Sequence, residues 1–250
     1  MQLFYYIVVF LYGIVIGSFL NVCIYRIPKK EDLVKAHSHC MTCGHILRWY
    51  ELIPVFSYLF QRGRCRGCGI KIAIQYPLVE TLNGVCYLII IHRMGITPEG
   101  ILLCLLCSAL LVLSVIDFRT YTIPFGINIS VLAIGIMAIA FDYKNVSEHL
   151  LGMVCVSGFL FALYLLTKKR GIGDGDIKLM IGAGAFLGVL PSILALWVAC
   201  LLGAIIHTIR MKVSKVGHQL AFGPYLAIGI LFSALYGEEL IGRYMNYLIR

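Results

Sequence analysis

The chain has 250 residues, of which 60% are hydrophobic and only 13% are charged. Ordinary globular proteins are about half apolar and about a quarter charged, so this composition argues against that class and indicates a membrane protein. The formal net charge is +9, but the basic residues are spread over several short loops. This distribution argues against a nucleic-acid-binding protein and favours contact with anionic lipid.

Long apolar runs alternate with short polar segments along the chain. Because the apolar core of a bilayer takes about 20 helical residues, we expect an all-α polytopic membrane protein with about eight transmembrane helices. Seven is the competing number, since one short Gly-rich run before Pro191 is either a short span or half of a broken one. The eight runs are residues 3–24, 77–92, 99–116, 123–141, 149–166, 177–190, 191–209 and 221–237.

The distribution of basic residues predicts how these helices are oriented. The first run has no basic residue before it and no small-residue cleavage pattern after it, so we expect a retained span with its N-terminus outside. With eight spans, 17 of the 21 Lys and Arg residues fall in segments on one side. The positive-inside rule makes that side the cytoplasm, and it contains the long polar segment 25–76.

Segment 25–76 carries two C-x2-C pairs separated by 21 residues. Each pair can hold one side of a tetrahedral metal, so the spacing predicts one structural zinc ion. Two disulfides are the alternative, although they require an oxidising compartment. Three histidines beside the first pair, His37, His39 and His45, are possible replacement ligands. The predicted ligands are Cys40, Cys43, Cys65 and Cys68.

This segment also sets the predicted domain division. We expect a first transmembrane helix over 1–24, a cytoplasmic zinc-binding insert over 25–76 and a polytopic membrane core over 77–250. The six other cysteines all lie in apolar runs, where a cysteine usually packs as a small hydrophobic side chain.

Two aspartates stand where an apolar run meets a polar, basic loop. Asp117 ends one run, and Asp176, 59 residues later, begins another. An ionisable group at membrane depth is energetically expensive and therefore indicates a functional site. Two carboxylates on different helices can share one proton and activate a water molecule. The alternative is that each carboxylate only ends its helix on the wet side of the membrane.

Three further polar residues lie near the ends of apolar runs. Glu80 follows Tyr76-Pro77 and is either a catalytic group or the partner of a basic residue in the zinc-binding insert, and the sequence favours the second role. Ser18 and Asn21 lie near the inner end of the first run, where such side chains usually hold helices together.

These motifs together resemble the type IV prepilin peptidase family along nearly the whole chain. The matching segments are Gly17–Pro28, both C-x2-C pairs with Ile53-Pro54 and Tyr76–Glu80, Asp117 with Ile123-Pro124, Gly173–Leu179 and Phe222–Pro224. The resemblance makes Asp117 and Asp176 the catalytic pair, because a Lys stands two residues after Asp176 in the G-x-G-D-x-K-L pattern. Asp174 is the alternative, because Gly171-Ile172-Gly173-Asp174 also spells G-x-G-D. In that alignment Asp176, and not a Lys, stands two residues after the aspartate.

The resemblance implies a bifunctional enzyme of the bacterial inner membrane whose active site faces the cytoplasm. Such enzymes cleave the basic leader of prepilins and pseudopilins after a glycine, and then methylate the new N-terminal residue with S-adenosylmethionine. All four insert cysteines are present, which implies that the methyltransferase function is retained, with Glu80 as a candidate proton acceptor. The alternatives are a peptidase without methyltransferase activity and a non-catalytic, zinc-bearing membrane scaffold or transporter.

Overall fold

The computed structural model describes residues 2–33, 38–168, 171–214 and 220–248, without the side chains of Gln2, Ser214 and Leu248. The described residues are mainly helical, and their only β pairing consists of two isolated bridges. The chain divides into two compact units, Met1–Gly95 and Ile96–Arg250. The expected all-α fold class is therefore confirmed for the described part of the chain.

Nine α-helices are present in the described residues. The first unit contains α1 (Gln2–Arg26), the five-residue α2 (Phe56–Phe60) and α3 (Gln75–Met94). The second unit contains α4 (Pro98–Thr120), α5 (Phe125–Phe141), α6 (Val146–Leu166), α7 (Asp174–Leu187), α8 (Val189–Ser214) and α9 (Gly223–Leu248).

Five helices in the described residues are long and apolar enough to cross a membrane, namely α1, α4, α6, α8 and α9. The 17-residue α5 is a shorter apolar helix. These helices make the protein a multi-pass membrane protein. The runs 77–92 and 177–190 form α3 and α7, but α7 has only 14 residues and begins with charged side chains. The number eight thus stays a prediction.

The boundary between α7 and α8 differs from the sequence expectation. The sequence analysis ended the span at residue 190, before Pro191, whereas α7 ends at Leu187 and α8 begins at Val189. Gly188 separates the two helices with φ +79°, a backbone conformation that glycine adopts without steric cost. Pro191 lies in the first turn of α8, where a missing N–H breaks no helical hydrogen bond.

In the first unit, α1 packs closely against α3. A Cβ at Gly13 would lie 2.7 Å from the Cα of Gly84, and a Cβ at Gly17 would lie 2.7 Å from the Cα of Glu80. The side-chain amide of Asn83 also donates to the Gly13 carbonyl at 2.7 Å. Glycine therefore brings the two backbones together, as is typical of helices packed in a membrane.

In the second unit, α7 packs against α5, α6, α8 and α9, while α4 packs against α5 and α9. Two glycines of α7 make its close contacts possible. A Cβ at Gly182 would lie 2.7 Å from the Leu132 nitrogen on α5, and one at Gly184 would clash with the Gly152 carbonyl on α6. This Gly-rich stretch serves helix packing. Because α7 packs against four other helices, its N-terminus lies among the ends of neighbouring helices.

Candidate functional site

The four cysteines of the insert lie together in the structure. Their Sγ atoms are all within 4.8 Å of one another, with 3.9 Å between Cys40 and Cys68 and 4.0 Å between Cys43 and Cys65. Tetrahedral zinc with Zn–S bonds of about 2.3 Å places its sulfurs about 3.8 Å apart, so the cluster fits such an ion. The same separations are well beyond the S–S bond of about 2.05 Å in a disulfide.

Two short loops with the same hydrogen bonds present these sulfurs. In the first loop, the Gly44 N–H donates to the Cys40 carbonyl, and the Cys40 N–H donates to the His45 carbonyl. In the second, the Gly69 N–H donates to the Cys65 carbonyl, and the Cys65 N–H donates to that of Ile70. Both glycines have positive φ, at +71° and +72°, which turns the chain back after the second cysteine of each pair.

The similarity of the two loops extends beyond the cysteines. The isolated bridges His39–Ile46 and Arg64–Lys71 occupy equivalent positions, each shifted by 25 residues. The bonds from Leu47 to Ser38 and from Ile72 to Gly63 follow the same shift. The insert thus contains a short structural repeat that the sequence analysis did not identify. The C-x2-C-G pattern at both sites was the signal for it.

Main-chain N–H groups donate to the sulfurs of Cys40 and Cys65, whereas the neighbouring sulfurs raise the pKa of the Cys43 thiol. The N–H groups of Cys43 and Thr42 lower the pKa of the Cys40 thiol to about 6. The Gly67 N–H donates to the Cys65 sulfur at 3.4 Å. Groups that favour thiolates suit a metal site, since the thiolate is the form of cysteine that binds metal ions.

The flanking histidines do not join the cluster in the described residues. His45 Nε2 lies 3.2 Å from Glu51 Oε2, and the Arg48 N–H donates to the same oxygen at 2.8 Å. The Arg48 N–H and the His45 ring hold the pKa of the buried Glu51 carboxyl below its ordinary value. His39 lies in an isolated bridge, and His37 lies outside the described residues.

Glu80 is buried on α3 and contacts the insert through a main-chain group. Its Oε2 accepts a hydrogen bond from the Val55 N–H at 2.7 Å, and the Ser18 hydroxyl also bonds to the carboxylate. The expected pairing with a basic side chain is wrong for the described residues, because a backbone amide of the insert takes that place. Asn21 joins α1 to α3, as expected, by donating to the Tyr76 carbonyl at 3.1 Å.

Asp117 lies one turn before the C-terminal end of α4 and is 5% exposed. Its Oδ2 accepts a hydrogen bond of 2.9 Å from the Gly223 N–H at the start of α9. A Cβ at Gly223 would lie 2.8 Å from that same oxygen. Glycine at this position therefore both supplies the donor and leaves room for the carboxylate.

Asp176 is the third residue of α7 and is 8% exposed. Its carboxylate accepts a hydrogen bond from the N–H of Gly173, the residue that caps the helix, and it interacts electrostatically with Asp117. A Cβ at Gly173 would lie 2.8 Å from Asp176 Oδ2. Both aspartates thus bond to a main-chain N–H at a helix N-terminus, where the helix dipole favours negative charge.

Asp174 has a different environment from Asp176. Its side chain is 63% exposed and bonds to Lys178 Nζ at 2.6 Å, four residues along the same helix. The ammonium group of Lys178 also lies over the Phe125 ring, 5.5 Å from its centre. The lysine of the sequence motif therefore contacts the exposed aspartate, and the buried one is left to interact with Asp117.

Comparisons with known proteins identify the family of this chain. Residues 11–94 match the bacterial peptidase A24 N-terminal domain, and residues 104–208 match the type IV leader peptidase family. The chain belongs to the type IV leader peptidase family. One relative, named prepilin leader peptidase/N-methyltransferase, comes from Pseudomonas putida and is 34% identical over 94% of this chain and 92% of its own length.

Two further relatives of the type IV leader peptidase family carry the same name. The protein from Aeromonas salmonicida is 33% identical over 98% of this chain and 95% of its own length. The protein from Neisseria gonorrhoeae is 34% identical over 89% of this chain and 88% of its own length. No solved structure matches the chain.

In this member of the type IV leader peptidase family, the structure adds supporting residues that sequence reasoning missed. A Cβ at Gly175 would lie 2.8 Å from the Ile123 Cβ, so glycine allows the start of α7 to pack against the segment before α5. Asn128 on α5 donates to the Gly175 carbonyl at 3.3 Å. The contact between Gly223 and Asp117 was also missed. The Phe222–Pro224 motif indicated that this position matters, but it did not indicate a partner.

Proposed function

We propose that this protein cleaves the basic leader of type IV prepilins and pseudopilins after a glycine, and then methylates the new N-terminal residue with S-adenosylmethionine. Membership of the type IV leader peptidase family and the names of its relatives support both activities. The observation that carries the peptidase activity is the pair of buried, interacting carboxylates of Asp117 and Asp176.

In the proposed cleavage reaction, the two aspartates hold one proton between them. The ionised carboxylate takes a proton from water, and the water oxygen attacks the carbonyl carbon of the scissile bond. The protonated carboxyl donates a hydrogen bond to the carbonyl oxygen. The C–N bond then breaks, and the leaving amine takes up the proton that the first carboxylate received from water. The Gly173 and Gly223 N–H groups support this role, because they fix the position of one oxygen of each carboxylate.

Glycines around the two carboxylates suit a peptide substrate. A Cβ at Gly173 or Gly223 would lie 2.8 Å from a carboxylate oxygen of the aspartate pair, so glycine at both positions leaves the carboxylates free to face a peptide bond. The apolar helix that follows a prepilin leader can lie in the bilayer beside the multi-pass helices.

We assign Cys40, Cys43, Cys65 and Cys68 as ligands of one structural zinc ion. Their mutual distances and the paired loops support the assignment. A bound zinc ion would stabilise the fold of the insert, as structural sites of this kind do. We place the zinc-binding insert at residues 25–76, the first transmembrane helix at 1–24 and the peptidase core at 77–250.

For methyl transfer, we assign Glu80 as the proton acceptor. The new N-terminal ammonium loses a proton to the Glu80 carboxylate, and its nitrogen lone pair then forms a bond to the methyl carbon of the donor. The methyl C–S bond breaks with its electron pair moving to sulfur, which leaves S-adenosylhomocysteine. The burial of Glu80 and its position beside the insert support this role, since Val55 and Ser18 hold the carboxylate in place.

We place the protein in the bacterial inner membrane, with the aspartates and the insert on the cytoplasmic side. The positive-inside bias of the Lys and Arg residues supports this orientation. Thiol labelling in intact cells tests this orientation. Bound metal is first removed by a chelator that crosses membranes, and a membrane-impermeant thiol reagent is then added. We expect Cys43 and Cys68 to be labelled only after the cells are opened. Labelling before the cells are opened would contradict the orientation.

The complete reaction tests the proposed function. Purified protein in lipid nanodiscs is incubated with a synthetic prepilin that has a Gly-Phe junction and with methyl-labelled S-adenosylmethionine. We expect a product that begins with N-methylated phenylalanine, identified by mass spectrometry. A cleaved but unmethylated product would limit the protein to peptidase activity, and an unchanged substrate would overturn the proposal.

A further inference from the structure

The short helix α2 of the insert carries its apolar side chains outward. Phe56, Leu59 and Phe60 have the spacing of one side of a helix, and they are 45%, 63% and 82% exposed. Ser57 and Tyr58 on the other side are half-buried and line a cavity formed with α1, the start of α3 and the cysteine loops. Because a helix in water turns its apolar side inward, α2 requires an apolar partner outside the insert.

The residues that precede α2 are apolar and exposed as well. Trp49 is 78% exposed, and Leu52 and Ile53 are each 41% exposed. Tryptophan is enriched where a membrane meets water, because its large apolar ring carries one polar N–H. Segment 49–60 therefore has the composition of an interfacial membrane segment and not that of a cytosolic loop.

A strained turn fixes the position of α2. Val55 has φ +61° and ψ −52°, and the Phe56 N–H donates to the Pro54 carbonyl at 2.6 Å, which together form a γ-turn with positive φ. Such a turn is costly for a β-branched residue and persists only where its surroundings hold it. The Val55 N–H donates to the buried Glu80 carboxylate at 2.7 Å. This bond attaches the start of α2 to the second turn of α3.

The packing of α1 against α3 sets the depth of this attachment. Glu80 lies against α1, since a Cβ at Gly17 would be 2.7 Å from the Glu80 Cα. Gly17 lies nine residues, or about 14 Å, before Arg26, where the 24-residue span of α1 ends. The Tyr76 carbonyl likewise accepts a hydrogen bond from Asn21, which also lies within that span. The start of α3 and the attached α2 therefore lie beside the span of α1 and not beyond its end.

This depth corresponds to the boundary between acyl chains and headgroups. A helix of 24 residues is about 36 Å long and the apolar core of a bilayer is about 30 Å thick, so the ends of α1 reach the headgroups. Side chains of a helix point toward its N-terminus, so the Glu80 carboxylate and the bonded Val55 lie nearer the membrane surface than the Glu80 backbone. The outward side of α2 is thus held at the level of the lipid.

Basic residues favour anionic lipid as the partner. Segment 48–71 contains five Lys and Arg residues and one acidic residue, Glu51, which is buried. Arg62 and Arg64 directly follow α2, are exposed, and form no ion pair with a residue that the structure describes. Basic side chains close to an anionic membrane surface are attracted to it.

We propose that segment 49–60 docks the insert on the anionic phospholipid of the bilayer, with the outward side of α2 among the acyl chains and the arginines that follow it at the headgroup phosphates. The docked segment holds the Val55 N–H against Glu80 and keeps the cysteine loops at a fixed height at the membrane surface. This inference is independent of both chemical activities, because it uses only contacts within the first unit and the membrane span of α1.

Fluorescence quenching by lipid in nanodiscs tests the docking of α2. Trp49 and Trp197 are the two tryptophans of the chain, so Trp49→Phe with Trp197→Phe gives a background without tryptophan. In that background, Phe60→Trp puts the probe on the outward side of α2, and the matched control Tyr58→Trp puts it on the cavity side. Lipid brominated on the upper part of its acyl chains should quench Phe60→Trp at least about threefold more than Tyr58→Trp.

Trp197→Phe alone gives a second reading that changes no residue of the insert. The remaining native Trp49 should also be quenched by the brominated lipid and protected from aqueous iodide. Quenching of both probes by iodide and not by lipid would overturn the proposal. Iodide quenching that disappears when prepilin is added would make the segment a docking surface for the substrate instead. Protection from both quenchers would show that another part of the protein covers it, which also overturns the proposal.

The preference for anionic lipid is tested with brominated phosphatidylglycerol and brominated phosphatidylcholine at equal mole fractions in mixed bilayers. We expect the anionic lipid to quench Phe60→Trp at least about twofold more strongly, and this preference to disappear when Arg62→Gln and Arg64→Gln are added. Arg93→Gln is the control, since Arg93 lies in the last turn of α3. Equal quenching by the two lipids with all arginines present would overturn the assignment of anionic lipid as the partner.

Discussion

The cysteine cluster and the aspartate pair use glycine for opposite reasons. Gly44 and Gly69 have positive φ, and no atom lies within 4 Å of a Cβ at either position, so glycine is needed there for its backbone conformation. Gly173 and Gly223 lack positive φ, yet a Cβ at either position would lie 2.8 Å from a carboxylate oxygen. The cluster is thus a locally folded motif, whereas the aspartate pair depends on helices packed at close range.

This difference predicts which substitutions should abolish metal binding by the cysteine cluster and which should abolish cleavage by the aspartate pair. A local motif that holds a metal fails when a ligand is lost or when its turn cannot form. A site assembled from distant helices fails when a reacting group is removed or when one helix moves outward by a fraction of an ångström.

The largest effect is expected when one of the two aspartates is removed. Asp117→Asn or Asp176→Asn should lower the rate of prepilin cleavage by about 100- to 10,000-fold, since each removes a proton-transfer group. The measurement is single-turnover cleavage in nanodiscs. Asp174→Asn is the matched control, because it removes only an exposed pair with Lys178 and should cost less than about twofold. A larger loss in Asp174→Asn than in Asp176→Asn would show that the motif frame is wrong.

Substitution of the cysteines should abolish zinc binding by the cysteine cluster. Cys40→Ser with Cys65→Ser removes one ligand from each pair, and zinc content measured by plasma mass spectrometry should fall from about one ion per chain to almost none. We expect methyl transfer to be lost while cleavage keeps a larger share of its activity. Cys155→Ser is the control, since Cys155 lies in α6 and outside the cluster. A metal-free wild-type protein would contradict the zinc assignment.

Substitution of Glu80 tests whether the two chemical activities can be separated. Glu80→Gln keeps the size of the side chain but removes a proton acceptor, so methyl transfer should fall by at least about 100-fold and cleavage by much less. The ratio of methylated to unmethylated product in a time course measures this. An equal loss of both activities would mark Glu80 as structural through its bond to Val55. Undiminished methylation would show that Glu80 is not the proton acceptor.

Added side-chain volume should affect the aspartate site more than an exposed helix position. Gly223→Ala places a Cβ 2.8 Å from Asp117 Oδ2, and we expect cleavage to slow by about 10- to 100-fold because the carboxylate must shift. In Gly126→Ala the new Cβ meets no atom within 4 Å, so cleavage should stay near the wild-type rate. Similar rates for the two variants would show that the contact at Gly223 leaves Asp117 free to adjust.

The smallest effect is expected at the glycines of the cysteine loops. Gly44→Ala should lower the free energy of unfolding of the insert by about 1–2 kcal/mol, because an L residue is disfavoured at this positive φ. Gly44→Asn should cost less, since asparagine tolerates the left-handed conformation better. The rate of zinc loss to a chelator compares the two variants. Equal rates would indicate that this turn does not limit metal binding.

The sequence by itself determined the all-α class, the membrane location and the grouping of the four cysteines, whose sulfurs lie within 4.8 Å of one another. These features depend on local properties, namely composition, apolar run length and the spacing of residues that lie in one short loop. The two C-x2-C-G loops could be predicted because each makes its own backbone hydrogen bonds. The helix boundary at Gly188 was misplaced, since Pro191 was the stronger sequence signal even though proline fits the first turn of a helix.

Only the tertiary structure decided how the aspartate site is assembled. Asp117 and Asp176 were proposed from their positions, but the support of Asp117 by Gly223, 106 residues away, depends on the packing of α4 against α9. The separate environments of Asp174 and Asp176 likewise follow from which side of α7 is buried. Contacts of this kind come from packing between helices, and the spacing of residues along one chain does not specify which helices meet.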